Sequence, residues 1–91
     1  MLPYKGNLLL PVGPTLRLFN LKTEDILLNK QIGHSQIFQI QENSTQILVV
    51  NFEGLLTLLS KEDLSIQYQF NAIGKEIRHV AFTDDYIATS S

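Results

Sequence analysis

Apolar and polar residues alternate along much of this chain with the period of a β-strand. Leu16 and Leu18 fall on one face of a segment in which Thr15, Arg17 and Phe19 fall on the other. Such a period of two is typical of a half-buried strand. Similar apolar runs, bounded by turn-forming residues, predict strands near 7–12, 15–21, 26–31, 36–41, 46–51, 55–60, 64–70, 77–82 and 86–90.

No segment combines an apolar stripe at helical spacing with capping residues at both ends. The nearest candidate is 21–28, but Thr23-Glu24-Asp25 inside it is more typical of a turn. We therefore predict an all-β fold.

The chain also repeats itself at a spacing of about 40 residues. Residues 37–40 align with 77–80, and 15–20 align with 55–60, at a shift of 40 positions. With one extra residue, Gly33 then aligns with Gly74. A period of about 40 to 45 residues is that of a four-stranded propeller blade. The repeat favours an array of sheets whose faces cover one another.

Details of the repeat resemble those of WD-repeat proteins. Gly33-His34 stands where such blades often carry Gly-His before the innermost strand, and Glu53-Gly54 stands at the turn that often holds Asp-Gly. Phe19-Asn20 takes the place of the blade-ending Trp-Asp. The resemblance implies that Gly33, His34, Gly54, Phe19 and Asn20 are structural residues. The chain has no Trp, and Glu53 replaces the usual Asp, so we expect only a partial hydrogen-bond network around His34.

Residues 6–20, Gly33-His34 and the segment 50–55 also resemble the amino-terminal part of one WD-repeat subfamily. Its members are scaffold partners of the methyltransferase that modifies the wobble-position ribose of tRNA. Propellers of the splicing and DNA-damage type share the rhythm of residues 16–21 and form the rival assignment. Either resemblance implies a scaffold for protein partners that contacts RNA only through its assembly.

The predicted strands form groups of three, four and two, which corresponds to two to three blades. Propellers typically close with four to eight blades. We therefore expect residues 1–91 to form a partial WD40-like β-propeller, as part of a larger protein or assembly. Alone, such an array leaves apolar faces and strand edges open, so we expect it to aggregate or to form oligomers.

Composition and charge narrow the function classes. The net charge is −2 and the seven basic residues are scattered, which disfavours an extended surface for nucleic acid or anionic membrane. There is no cysteine, so disulfides and thiolate metal sites are excluded. Neither a membrane-spanning segment nor a secretory signal is recognisable, and a cytoplasmic location is expected, with the nucleus as the alternative.

Candidate catalytic groups are sparse and lack the spacing that chemistry needs. We interpret His34 as a structural residue at a blade entrance and His79 as a surface residue. The acidic pairs Glu24-Asp25, Glu62-Asp63 and Asp84-Asp85 fall in predicted turns, where solvated carboxylates are expected. No glycine-rich phosphate loop is present. We expect no enzymatic activity, no cofactor and no metal.

Four basic residues could lie together on one rim and contact RNA jointly with a partner. They are Arg17, Lys30, Lys75 and Arg78. Tyr68 and Phe70 share one face of a strand and are expected to pack in the core or at a blade edge. Gly54 is expected to need a positive φ.

The alternative to a scaffold function is that the chain is a small β protein that binds a ligand itself.

Overall fold

The computed structural model describes residues 2–71 and 79–90. It is all-β, with 65% of the residues in strands and no helix. Accordingly, no helix in the described part of the chain is long and apolar enough to cross a membrane. The ten strands are β1 (Leu2–Tyr4), β2 (Asn7–Val12), β3 (Thr15–Asn20), β4 (Asp25–Gln31), β5 (Ile37–Glu42), β6 (Gln46–Asn51), β7 (Leu55–Ser60), β8 (Ile66–Asn71), β9 (His79–Phe82) and β10 (Ile87–Ser90).

The strands form three antiparallel sheets in chain order. The first sheet is β1-β2-β3-β4, the second is β5-β6-β7-β8, and the third is β9-β10. The predictions of an all-β fold and of antiparallel four-stranded sheets are confirmed. Within the described residues the sheets do not close into a propeller.

The strand β1, which completes the first sheet, was not predicted from the sequence. This strand has only three residues, too few to display an alternating pattern, and Pro3 stands in its middle. Proline is tolerated here because β1 is an edge strand, which among the described strands pairs with β2 alone. The first group of strands therefore has four members rather than the expected three.

Individual backbone hydrogen bonds also recur at a spacing of 40 residues. In the β3–β4 turn the N–H of Glu24 donates to the carbonyl of Asn20, and in the β7–β8 turn that of Leu64 donates to Ser60, each at 2.8 Å. Glu24 and Leu64 both have positive φ values, 61° and 63°. Each turn is preceded by a register shift at the same position, after Leu18 in the first sheet and after Leu58 in the second.

The hairpins that open the second and third sheets also match. The N–H of Asn43 donates to the carbonyl of Gln46, and the N–H of Thr83 donates to that of Tyr86, each at 3.0 Å. Because β5–β6 and β9–β10 share this geometry, we treat the third sheet as the first two strands of another repeat.

Face-to-face stacking of the sheets creates the core. Ile47 and Val49 point into a cluster shared with the first sheet, while Leu48 and Val50 point into a cluster shared with the third. Neighbouring residues of a strand face opposite sides, so both faces of β6 are covered. A strand buried on both faces reads as an unbroken apolar run, as 47–50 does.

Candidate functional site

The residues that resemble the WD-repeat pattern meet at one end of the second sheet. There the β4–β5 connection, with Gly33 and His34, lies against the β6–β7 turn, with Glu53. One carboxylate oxygen of Glu53, Oε1, accepts hydrogen bonds from the backbone N–H groups of His34 at 2.8 Å and Ser35 at 3.3 Å. We call this arrangement, together with Asn51, the Glu53 clamp.

Asn51 is the buried centre of the clamp and was not predicted from the sequence. It is 1% exposed. Its amide donates to Glu53 Oε1 at 2.8 Å, and its Oδ1 accepts from the N–H of Leu55 at 3.0 Å. Its backbone carbonyl also accepts from the N–H of Gly54 at 3.2 Å. A signal was present, because a polar residue after the apolar run 47–50 must find partners when it is buried.

Gly33 lets the two segments approach closely. Its φ is +72°, and a Cβ at this position would lie 2.3 Å from Glu53 Oε1 and 2.6 Å from Asn51 Nδ2. No side chain fits without moving the clamp. The close approach is therefore the physical reason for glycine at this position.

The clamp favours the charged form of Glu53. The hydrogen bond from the His34 backbone is the largest cause and lowers the pKa of Glu53 below its ordinary value of 4.5. Desolvation of the carboxylate opposes this shift, and the hydrogen bonds from Ser35 and Asn51 add to the lowering. Donors that bind the carboxylate more strongly than the carboxylic acid have this effect. The carboxylate joins the β4–β5 connection to the β6–β7 turn.

This shift predicts acid sensitivity. Because the pKa of Glu53 is lowered by folding, its contribution to stability is present above pH 4.5 and is lost as the pH falls through the lower value of the folded state. We expect Glu53→Gln to lower the melting temperature at pH 7, and the gap between variant and wild type to narrow toward pH 3. Melting curves across this range test the prediction. A gap that stays constant with pH would contradict it, since Asp63 and Asp84 titrate alike in both proteins.

His34 joins the clamp through its backbone. The side chain is exposed, and within the described residues its ring makes no hydrogen bond, whereas its N–H is bound to Glu53. The expected partial network is therefore built from Glu53, Asn51 and backbone donors. The His34 ring stays outside it.

Phe19 and Asn20 lie in a different place from the clamp. Asn20 ends β3, and its Oδ1 accepts hydrogen bonds from the N–H groups of Lys22 at 2.9 Å and Thr23 at 3.3 Å. Phe19 is half-buried beside the register shift of β3. The Asn20 side chain thus caps this turn in the manner of an Asx turn, while the structural role of Phe19 stays a prediction.

Gly54 has a φ of +84° in the β6–β7 turn, as the sequence led us to expect. We expect Gly54→Val to lower the free energy of unfolding by about 2 kcal/mol or more, because a β-branched residue resists this conformation. Gly54→Asn is the matched control, since Asn tolerates positive φ better. Urea unfolding measures both. Equal losses for Val and Asn would show that φ is not the cause.

Two of the acidic pairs have structural partners. Asp84 accepts from the backbone N–H of Ser44 at 2.9 Å and from its hydroxyl at 2.6 Å, which ties the second sheet to the third. The hydroxyl bond is the main cause of the lowered pKa of Asp84. Asp63 binds the N–H and hydroxyl of Ser65 within its own turn. Asp63 and Asp84 are exposed and lie in turns, as predicted, and each carboxylate also accepts hydrogen bonds from a serine.

A groove of about 770 Å³ opens where the first two sheets meet at their turns. Lys61 crosses it, with its Nζ 3.1 Å from Glu42 Oε2 and 3.1 Å from the carbonyl of Asn43. Lys5 donates to the carbonyl of Glu62. Both lysines thus bind acceptors of the protein itself, which gives the groove the character of a polar seam between sheets.

The expected basic rim does not form in the described residues. Arg17 pairs with Asn29, where its Nε donates to Oδ1 at 2.9 Å, while Lys30 pairs with Leu16. Because Leu16 and Arg17 are consecutive in β3, Arg17 and Lys30 lie on opposite faces of the first sheet. Lys75, Arg78 and Gly74 lie outside the described residues, as does the side chain of His79.

Across residues 2–71 and 79–90, no three His, Asp or Glu side chains lie close enough together to hold a metal ion. A comparison with models of known protein families and with curated proteins finds no match to this chain.

Proposed function

We propose that this chain forms consecutive blades of a WD-type β-propeller and acts as a non-catalytic scaffold. The Glu53 clamp carries the proposal. It binds the backbone at Gly33-His34, just before the first strand of the second sheet, to the turn in which WD-repeat blades often carry Asp-Gly. The sheets repeat at blade distance, with matching turns at Asn20 and Ser60, which supports the same interpretation.

As a scaffold, the protein presents its loops to binding partners. Sheets that are covered on their faces hold the loops between strands in fixed positions, and partners dock on these loops in a defined relative orientation. The clamp contributes by fixing the β4–β5 connection against the β6–β7 turn. The Glu53 carboxylate and the Asn51 amide form hydrogen bonds within the clamp, and we assign them a structural role.

The partner that we propose is a tRNA methyltransferase acting on the wobble-position ribose. The resemblance of residues 6–20 and 50–55 to its scaffold subunits supports this choice. The partner supplies the cofactor pocket and the chemistry, and the scaffold meets RNA through the assembly. A cytoplasmic location, with the nucleus as the alternative, suits this role.

Affinity purification of the tagged full chain from its own cells, followed by mass spectrometry, tests the proposal. We expect the methyltransferase among the partners, and loss of the wobble-ribose methyl group from tRNA when the gene is deleted. Gly33→Ala, which disturbs the clamp, should reduce recovery of the partner, whereas Gly13→Ala should not, since a Cβ at Gly13 meets nothing within 4 Å. Unchanged tRNA methylation would refute this partner, and splicing or DNA-damage proteins in its place would favour the rival assignment.

The groove between the first two sheets supports a second candidate, a β protein that binds a small polar ligand. Its volume of about 770 Å³ lies within the range of ligand sites. A saturable rise in melting temperature with one small molecule, lost in Lys61→Ala and kept in Lys22→Ala, would favour this function. The scaffold proposal predicts no such rise.

A further inference from the structure

The groove between the first two sheets is walled by three turns. Its lining includes Lys5 of the β1–β2 turn, Thr45 of the β5–β6 turn and Lys61 of the β7–β8 turn. Both sheets contribute to it, so the space exists only when they stack. Its volume of about 770 Å³ is large enough to bury most of a small molecule.

The charges of the groove balance one another. Among the residues that the structure describes, its lining carries two lysines, Lys5 and Lys61, and two glutamates, Glu42 and Glu62. The Nζ of Lys61 lies 3.1 Å from Oε2 of Glu42, so these two charges neutralise each other. An anion bound in the groove would lie beside two carboxylates, and a cation would lie beside two ammonium groups. The groove therefore favours an uncharged ligand.

The lining also holds donors and acceptors that the protein itself does not use. Lys61 has three N–H groups and binds two acceptors of the protein, which leaves one donor. Glu42 binds Lys61 through Oε2, and a carboxylate has further acceptor sites. The Thr45 hydroxyl makes no hydrogen bond within residues 2–71 and 79–90. Gln67 accepts from Gln46 at its Oε1, and its NH2 group is a further donor.

We propose that the groove binds a neutral polyhydroxylated ligand through a vicinal diol, such as a sugar ring or the ribose of a nucleoside carries. A hydroxyl donates one proton and accepts at its oxygen, so two adjacent hydroxyls satisfy an acceptor and a donor together. The Glu42–Lys61 pair offers both at hydrogen-bonding separation, with side chains that are 40% and 36% exposed. One hydroxyl donates to Glu42, and the next accepts from Lys61. The inference rests on the second candidate function and names the ligand class of its groove.

The wall that the first sheet contributes is apolar in part and held in place. Pro3 is exposed in the lining and offers a surface to the C–H face of a ligand ring. The next residue, Tyr4, is buried, and its hydroxyl donates to the carbonyl of Glu62 at 3.0 Å. Lys5 lies over the Tyr4 ring, with its Nζ 5.4 Å from the centroid. These contacts order the wall before a ligand binds, which lowers the entropic cost of binding.

Saturation-transfer NMR of the full chain tests the proposal, because it observes the ligand and tolerates a protein of any size. Trehalose, a non-reducing sugar that leaves lysine amines intact, represents a free saccharide, and uridine represents a nucleoside. We expect saturable binding of at least one of them, with a dissociation constant in the millimolar range. Where uridine binds, its 2′-deoxy form, which lacks the vicinal diol, should bind at least about tenfold more weakly, because a hydrogen bond to a charged group is lost.

Two variants locate the contact. Lys61→Ala removes a donor of the groove and should weaken binding at least about tenfold. Thr45→Val exchanges an exposed hydroxyl for a methyl group of similar size, so the fold is kept while binding weakens. Lys22→Ala and Thr23→Val make the same changes in the exposed β3–β4 turn and should leave binding unchanged.

Inorganic phosphate, followed by its own NMR signal, separates the ligand class from the existence of a site. Binding of phosphate alone, lost in Lys61→Ala, would overturn the diol and keep the groove as a ligand site. Diol binding that is equal in both groove variants and both controls would place the contact elsewhere and overturn the proposal. No binding of any probe would overturn the proposal together with the candidate function on which it rests.

Discussion

Gly33→Ala is expected to lower the free energy of unfolding by more than the cost of an L-residue at positive φ, which is about 1–2 kcal/mol. The added Cβ would lie 2.6 Å from Nδ2 of Asn51, which is buried, and would also meet Oε1 of Glu53. The Asn51 amide and the Glu53 carboxylate must therefore shift, and the hydrogen bonds of the clamp lengthen or break.

Gly13→Ala is the matched control for this experiment. Gly13 has a φ of +58°, but a Cβ there meets nothing within 4 Å. Its substitution should therefore cost only the conformational part, about 1–2 kcal/mol. Chemical unfolding of the two variants at neutral pH measures the difference. Similar losses would mean that the clamp contributes nothing beyond its backbone geometry.

Leu59→Ala is expected to destabilise the protein by about 2–5 kcal/mol, the usual cost of a cavity at a buried leucine. Leu59 is fully buried, in the cluster between the first and second sheets. In an isolated second sheet this face would be open to water, and the substitution would cost little. The experiment therefore tests whether the two sheets stack in solution.

Leu27→Ala provides the control for the stacking experiment. Leu27 lies in β4 and is 49% exposed, so its truncation should change stability by no more than about 0.5 kcal/mol. Urea unfolding of the two variants gives the comparison. A loss for Leu59→Ala as small as that for Leu27→Ala would refute stacking of the first two sheets.

Much of the fold could be predicted from local pattern, because a strand with one buried face must alternate. Leu16 and Leu18 were predicted to share a face, and both are buried in the cluster between the first two sheets. The strand β1 escaped prediction because a three-residue edge strand containing Pro3 is held by its neighbour rather than by its own pattern. Tyr68 and Phe70 were expected to be packed and are exposed, because packing depends on which strands lie opposite them.

The candidate site was predicted in part. The sequence pointed to Gly33, His34 and Gly54, but it could not indicate that Glu53 binds the backbone of His34 while the ring of His34 stays exposed. Asn51 was missed because its role arises only when two connections, 19 residues apart in sequence, meet in space. The prediction that Arg17 and Lys30 lie on one rim was wrong because it ignored strand register. The pairing of β3 with β4 puts these two residues on opposite faces of the first sheet.

By itself the sequence determined the all-β fold, the spacing of about 40 residues and the turn at Gly54, because alternation, period and glycine are properties of neighbours along the chain. Only the tertiary structure decided that Asn51 and Glu53 form one clamp with Gly33, and that Arg17 and Lys30 lie on opposite faces of the first sheet. These features depend on which strands lie against one another. Stacking brings together residues that no local pattern relates.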